Sequence, residues 1–375
     1  MKVAIVHDFA WKMRGGERVV ETFCKMYPKA DLYMLCGDKS SLSPEIRMHK
    51  ITFSWLNGLP FIRKFYRYTY PLWPSAIESF DLNAYDLVIS SSSVAAKGVL
   101  TNPDTLHVCY MHAAMRYAWD QTWTYFNPNN FAKWKLPIIS YFLKNLRIWD
   151  VAAQARVDRL VANSNFTAAR VRKYYKRKPD AVIFPPVKIP KLIPPSHEDR
   201  KGEKYYVAIS PFEPNKGGRL IIEFARLTGA HVKLLGDGSL KKELERDCRD
   251  CENIEFCGWV NENEKIKVLA GATALIFAGV EDFGIAPVEA MACGTPVVAY
   301  KKGGALDTVI AEEGKTRTGT FFDVQSALSL AKAVEDLQKI WENGDIEPAL
   351  IRDWTLSFDE GRFVKEISEF IENSH

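Results

Sequence analysis

Residues 272–300 read ATALIFAGVEDFGIAPVEAMACGTPVVAY, and the order of apolar runs and breakers in this stretch decides the fold. The runs 272–278 and 296–300 are continuously apolar and of strand length, the pattern of strands buried on both faces of a parallel sheet. Between them, Pro287 suits the first turn of a helix, where a missing N–H costs nothing, and Gly294 ends that helix. The spacing predicts a helix over 288–293, with Glu289 in its first turn and Glu281 on the preceding loop. The N–H groups around Gly284, Ile285 and Ala286 then have no helical acceptor, and they sit at the carboxyl end of a parallel strand, where open α/β sheets bind ligands. An anion site is expected there.

Toward the N-terminus of this stretch the same alternation recurs. Strands are predicted over 205–210, 231–235 and 254–257, with helices over 218–228, from 239, and over 262–270. Before them lies FPPVKIPKLIPPSHEDRKGEK (184–204), with five prolines and a charged tail, which reads as an interdomain linker. The first half has its own alternation: strands over 2–7, 31–36, 86–91, 106–112, 158–162 and 180–184, and helices over 17–27 and 168–175. Two α/β halves joined by a proline linker imply two doubly wound sheets facing a cleft, with a last helix, 359–372, packing back across it.

The first half also offers candidate ligand groups. Gly15 and Gly16 precede a helix, which allows close backbone approach and presents N–H groups to a phosphate. The strand LHVCYMH delivers His112 to its carboxyl end, where a histidine is structural or catalytic. The aromatic run after it, AAMRYAWDQTWTYF, carries Arg116 and Asp120 and reads as a loop packed over a polar ligand.

Composition narrows the class. The 375 residues suffice for two domains; 47% hydrophobic and 26% charged is a globular composition, and a net charge of +4 argues against a general nucleic-acid binder. No run of about 18 apolar residues predicts a transmembrane helix. The start, MKVAIVHDFA, reads as a first strand without a signal peptide. Seven cysteines in mostly apolar surroundings suggest reduced thiols and a cytoplasmic setting. Cys248, Cys251 and Cys257 lack a second Cys/His pair, so no metal site is expected.

With EDFGIAPVEAMACGTPVVA, SNFTAARVRKYY, the proline linker and Gly236-Asp237-Gly238 in place, the chain resembles the retaining glycosyltransferases of family four, which have the GT-B architecture. CYMHAAMRYAWD, RGGERVVE and AYDLVISSSSVAAKG are similar to the bacterial mannosyltransferase branch that builds O-antigens and exopolysaccharides. The resemblance implies an acceptor-binding Rossmann-like domain over 1–190, a nucleotide-sugar-binding one over 205–355, and a C-terminal helix region, 356–375, packed on the first. It implies that Glu281 lies by the donor-sugar hydroxyls and Glu289 accepts from the ribose. Gly284 and Ile285 donate to the sugar or diphosphate, Gly15 and Gly16 approach the diphosphate and acceptor, His112 stands near the donor sugar, and Lys216 binds the diphosphate. Two positions depart from the family: Pro211 stands where an arginine is usual, five before Lys216, and Asp307 where glutamate is common. Arg14 or Arg219 are the candidate replacements.

What the resemblance implies about chemistry is a hexosyl transfer without a metal or cofactor. No Asp-x-Asp exists to bridge a metal to a diphosphate, so Lys216 and helix N-termini are expected to stabilise the leaving group. GDP-mannose is the favoured donor, with UDP-sugars next, and a saccharide or lipid-linked saccharide the acceptor. The alternatives are a sugar-nucleotide epimerase on the same fold or a non-catalytic nucleotide-sugar-binding protein. Segments 53–73 and 131–149 interleave aromatics with Lys and Arg. They read either as surfaces for peripheral contact with an anionic membrane or as packed segments with solvated basic residues.

Overall fold

A computed structural model describes residues 1–126, 134–196, 204–314 and 316–374. The chain divides into two compact units, Met1–Pro186 with Glu360–His375, and Val187–Asp359. Residues 131–133 of the second aromatic-basic segment and 197–203 of the proline linker lie outside the described residues.

Among the described residues the first unit carries a seven-stranded sheet, all parallel, in the order β3-β2-β1-β4-β5-β6-β7. Its strands are β1 (Val3–Ala10), β2 (Asp31–Gly37), β3 (Ile51–Phe53), β4 (Leu87–Ser92), β5 (Leu106–Met111), β6 (Arg159–Ala162) and β7 (Ala181–Val182). The second unit carries six parallel strands in the order β10-β9-β8-β11-β12-β13. These are β8 (Tyr206–Ile209), β9 (Val232–Leu235), β10 (Ile254–Gly258), β11 (Ala274–Phe277), β12 (Val297–Tyr300) and β13 (Gly319–Phe322). Each is a Rossmann-like sheet whose order reverses once, between β1 and β4 in the first unit and between β8 and β11 in the second. At such reversals the loops leaving the two strands diverge, and a crevice opens at their carboxyl ends.

The central strands are buried as expected of a covered parallel sheet: every residue of β4 and β11 is buried. The helix Gly15–Met26 turns Val19, Val20, Phe23 and Cys24 inward. The helix Glu360–Glu372 presents Phe363, Ile367 and Ile371, spaced four apart, to the same core. Phe363 packs edgewise on Tyr110 at 5.5 Å and against Phe23 at 5.8 Å. Burying such a ring stabilises the unit by about 1.5–3 kcal/mol, so the last helix is part of the first unit's core.

Four expectations change. The three-residue strand β3 was not anticipated, because Ile-Thr-Phe is too short to show alternation. The strand expected over 180–184 shrinks to Ala181–Val182, since the prolines after Phe184 cannot donate to a ladder. Gly15 and Gly16 do not precede the first helix but form its first turn, with Arg14 as N-cap. The helix of the 272–300 stretch begins at Ile285, so Glu289 falls in its second turn and not its first.

Candidate functional site

In the second unit, the loop leaving β8 carries Lys216 and the loop leaving β11 carries Glu281, so both stand at the sheet reversal. The loops touch closely. A Cβ at Gly279 would lie 2.6 Å from the Asn215 carbonyl oxygen and 2.7 Å from Lys216 Cα, and only a residue without a side chain allows that approach. Val280 N–H donates to Asn215 O at 3.3 Å. This contact holds the Lys216 ammonium in an ion pair with the Glu281 carboxylate, both less than a quarter exposed. On the other side, Gly304 N–H donates to Glu281 O at 2.9 Å.

Gly284 caps the Ile285–Ala292 helix in a left-handed conformation, φ +84°. The first-turn N–H groups of Ile285 and Ala286 lie beyond the reach of intrahelical acceptors and carry the positive end of the helix dipole. One turn further, Glu289 accepts from Lys265 Nζ at 2.8 Å, and Lys265 also pairs with Glu262 at 3.2 Å. Burial works against the Lys265 charge, but Glu289 and Glu262 outweigh it and leave the ammonium above its usual lysine value. Sequence reasoning missed Lys265. Its only signal was an unremarkable lysine on another helix.

The first unit brings Gly16, His112 and two residues not singled out from sequence, His7 and Ser91, to the reversal between β1 and β4. His7 and Ser91 are register partners on those strands. His7 Nδ1 lies 3.0 Å from Ser91 O, and His112 Nε2 lies 2.7 Å from Ser91 Oγ. A Cβ on Gly16 would lie 3.3 Å from His7 Cε1 and 3.8 Å from His112 Nε2. Burial, with the nearby His7, pushes His112 down to about 3, so the ring is neutral. Burial also raises Glu17 above the usual carboxyl range, His7 and Arg14 opposing the shift. Next to this cluster, the Asp8 carboxylate accepts four main-chain N–H groups, from Ser93, Val94, Ala95 and Ala96, at 2.6–2.8 Å.

The remaining expected residues are accounted for differently. Pro211 and Phe212 are buried, and position 211 presents no cation. Arg219 is paired with Glu243 and, at 3.7 Å, with Asp247, so two acids already neutralise it. Arg14 is exposed, and its main-chain N–H donates to Glu17 at 3.1 Å. Gly15 lies in the first turn beside Gly16. The aromatic run after His112 is packed inward at Met115 and Ala118, which are core residues, while Trp123 and Tyr125 stay exposed. Trp119 donates to Asp150 at 2.7 Å and stacks on Tyr174, and Asp120 accepts from Arg170 Nε at 3.0 Å. Asp150 in turn pairs with the fully buried Lys97 at 2.5 Å.

Comparison with known proteins matches both halves. Residues 13–189 match the family described as Glycosyltransferase Family 4, and residues 191–344 that described as Glycosyl transferases group 1. The GDP-mannose-dependent monoacylated alpha-(1-6)-phosphatidylinositol monomannoside mannosyltransferase of Corynebacterium glutamicum is 28% identical over 199 residues, 46% of this chain and 52% of that protein. The alpha-1,3/1,6-mannosyltransferase ALG2 of Saccharomyces cerevisiae is 26% identical over 249 residues, 50% of this chain and 48% of its own length. The chain thus spans about half the length of the curated relatives it matches. Among solved structures, Anabaena HepE in complex with UDP superposes over 100% of both chains with a TM-score of 0.70 at 18% identity. The sucrose-phosphate synthase of Thermosynechococcus elongatus does so over 100% of this chain and 99% of that one, with a TM-score of 0.69 at 17% identity. These likenesses establish the GT-B fold.

Proposed function

We propose that the chain, which belongs by fold and by both halves of its sequence with the GT-B glycosyltransferases of group 1 and family four, is a retaining hexosyltransferase. It takes mannose from GDP-mannose and passes it to a saccharide or lipid-linked saccharide. The observation that carries this reading is the Lys216–Glu281 pair beside the open N-terminus at Gly284 and Ile285, at the reversal of the second sheet. Cation, carboxylate and free N–H groups are the three things a sugar diphosphate needs.

On this reading the donor diphosphate takes the place of Glu281 on the Lys216 ammonium. The freed Glu281 carboxylate accepts from vicinal sugar hydroxyls, and the N–H groups of Ile285 and Ala286 donate to phosphate oxygens. Lys265 keeps one oxygen of Glu289 occupied, leaving the other to accept from the ribose. As the bond from sugar C1 to the diphosphate oxygen breaks, the acceptor oxygen bonds C1 on the same face. Its proton passes to the departing diphosphate. Lys216 and the helix terminus stabilise the charge that develops there. With Pro211 buried and Arg219 neutralised, Lys216 and the main chain hold most of the diphosphate. The mannosyltransferase relatives support the sugar, and the lipid-borne acceptors in their names support the acceptor.

Peripheral contact with an anionic membrane belongs to the same reading. Phe61, Phe65 and Tyr68 are more than half exposed, as are Trp134, just before the Lys135–Ala155 helix, and Tyr141 and Ile148 on it. Arg63, Lys64, Arg67, Lys135 and Lys144 are interleaved with them, and neither 53–73 nor 131–149 contains an acid. Purified protein should float with anionic vesicles at low salt and be released as salt rises; absence of binding at low salt would remove this part.

A thermal-shift comparison of GDP-mannose and UDP-glucose tests the donor, since a ligand at 100 times its Kd adds about 2.7 kcal/mol to the native state. GDP-mannose should raise the melting temperature. A shift with UDP-glucose alone would replace the donor, and no shift with either would point to a protein without a nucleotide site. With radiolabelled GDP-mannose, label should appear in an acceptor; conversion of the free nucleotide sugar without transfer would indicate an epimerase.

A further inference from the structure

His112 meets its neighbours through Nε2, and the direction of each hydrogen bond can be worked out. Ser91 O is a carbonyl and can only accept. For His7 Nδ1 to stand 3.0 Å from it, Nδ1 must carry the proton and donate. The same N–H faces Ser91 Oγ at 3.1 Å, so there the hydroxyl oxygen is an acceptor. Ser91 is fully buried, and a buried hydroxyl hydrogen needs a partner. His112 Nε2, 2.7 Å away, is that partner. Nε2 is therefore the acceptor, and the single ring proton of neutral His112 sits on Nδ1. Among the described residues no protein group takes that Nδ1–H, and the ring is partly exposed. Gly16 of the first helix stands beside both imidazoles, where a Cβ would lie 3.3 Å from His7 Cε1 and 3.8 Å from His112 Nε2.

We propose that Ser91 and His7 are positioning residues that hold His112 as its Nδ1–H form, so the first unit offers a bound ligand oxygen a hydrogen-bond donor and not a base. The proposal rests on the reading that His112 faces substrate. It sharpens that reading, because a His112 whose Nε2 lone pair is occupied by Ser91 cannot take the acceptor's proton. The low proton affinity conferred by burial agrees, since the ring gains no second proton near neutrality. The oxygen served is a sugar hydroxyl or a phosphate oxygen, both of which accept.

Selective 15N labelling of the histidines tests it directly. In full-length protein at neutral pH, the resonances lost in His112→Gln should show a pyrrole-like, protonated Nδ1 and a pyridine-like Nε2. A protonated Nε2, or an imidazolium, overturns the proposal. This readout needs no turnover, so it stands or fails separately from the sugar-transfer reading. Kinetics give the second arm. Ser91→Ala should lower kcat roughly 10- to 100-fold, as loss of an orienting partner does, with KM for the donor nearly unchanged, and Ser91→Thr, which keeps the hydroxyl, should restore most of it. Wild-type kcat in Ser91→Ala overturns the proposal. If Ser91→Ala does not fold, the spectrum of the unaltered protein still decides.

Discussion

The two sheet reversals solve the same problem with opposite chemistry. At the β1/β4 reversal the polar groups are hydrogen-bonded to one another or to the main chain: His7, Ser91 and His112 form one row, and Asp8 has four main-chain donors. At the β8/β11 reversal the groups form ion pairs, Lys216–Glu281 and Lys265–Glu289, with every side chain partly exposed but less than a quarter so. An ion pair at the rim can exchange one partner for a ligand of the same sign, whereas a carboxylate saturated by buried N–H groups cannot. On the proposed function, the first reversal holds a shape and the second changes partners.

If that contrast is right, Asp8→Ala should be the most damaging change. It orphans four main-chain donors, and since each buried unsatisfied group costs about 1–3 kcal/mol, a loss of about 4 kcal/mol or more in chemical denaturation is expected. A loss under about 1 kcal/mol would show that Asp8 is no clamp. Lys216→Ala should do the reverse. Its kcat/KM should fall by about 10²–10³, the effect of removing one stabilising group from a developing anion, while its melting temperature moves far less than that of Asp8→Ala.

Acid should find the first unit before the second. Burial pushes His107 down to about 4 and His112 to about 3 from the ordinary 6.5, so the unfolded chain binds these protons first. The stability they confer is complete above about pH 6.5 and is lost as pH falls toward 4. His107, hydrogen-bonded to Ser90 at 2.8 Å and fully buried, accounts for about 2 kcal/mol between pH 6.5 and 5. Denaturation of His107→Gln should show a flatter pH dependence, and an unchanged slope would remove His107 as the cause. Glu17, raised by burial, acts in the opposite sense, favouring the fold on the acid side.

A smaller effect is expected at Glu289→Ala. One charge-assisted hydrogen bond to the ribose corresponds to about tenfold in nucleotide affinity by calorimetry, with discrimination between sugars intact; equal affinity would detach Glu289 from the nucleotide. Least of all, Lys25→Ala breaks the exposed 2.6 Å pair with Glu360 on the last helix. It should cost under about 1 kcal/mol, which separates ornament from clamp within one unit.

Much of this could be read from sequence, and the parts that could not share a cause. Continuous apolar strands and the Pro287/Gly294 boundaries announce themselves locally, as do Glu281 and Glu289, because the chemistry and the punctuation lie within one stretch. Helix starts are less secure: Gly15 and Gly16 look like a break, yet packing of Val19, Val20 and Phe23 carries the helix through them. Partnerships across long separations leave no local mark. His7 and Ser91 are 84 residues apart, and Lys265 and Glu289 are 24 apart on different helices. Asp8 carries no local signal, because the four N–H groups that give it meaning lie beyond residue 90. The partners of Trp119 and Asp120, which are Asp150, Tyr174 and Arg170, are likewise distant in sequence.

The helix Glu360–Glu372 sets an order of events on the ribosome. Domains fold as their residues emerge during synthesis, and all of 187–359 emerges before Phe363, Ile367 and Ile371 exist to join Phe23 and Tyr110. The unit begun first is therefore finished last. While the second unit folds, Phe23 and Tyr110 of the nascent first unit lack the Phe363 ring that packs on both in the finished protein.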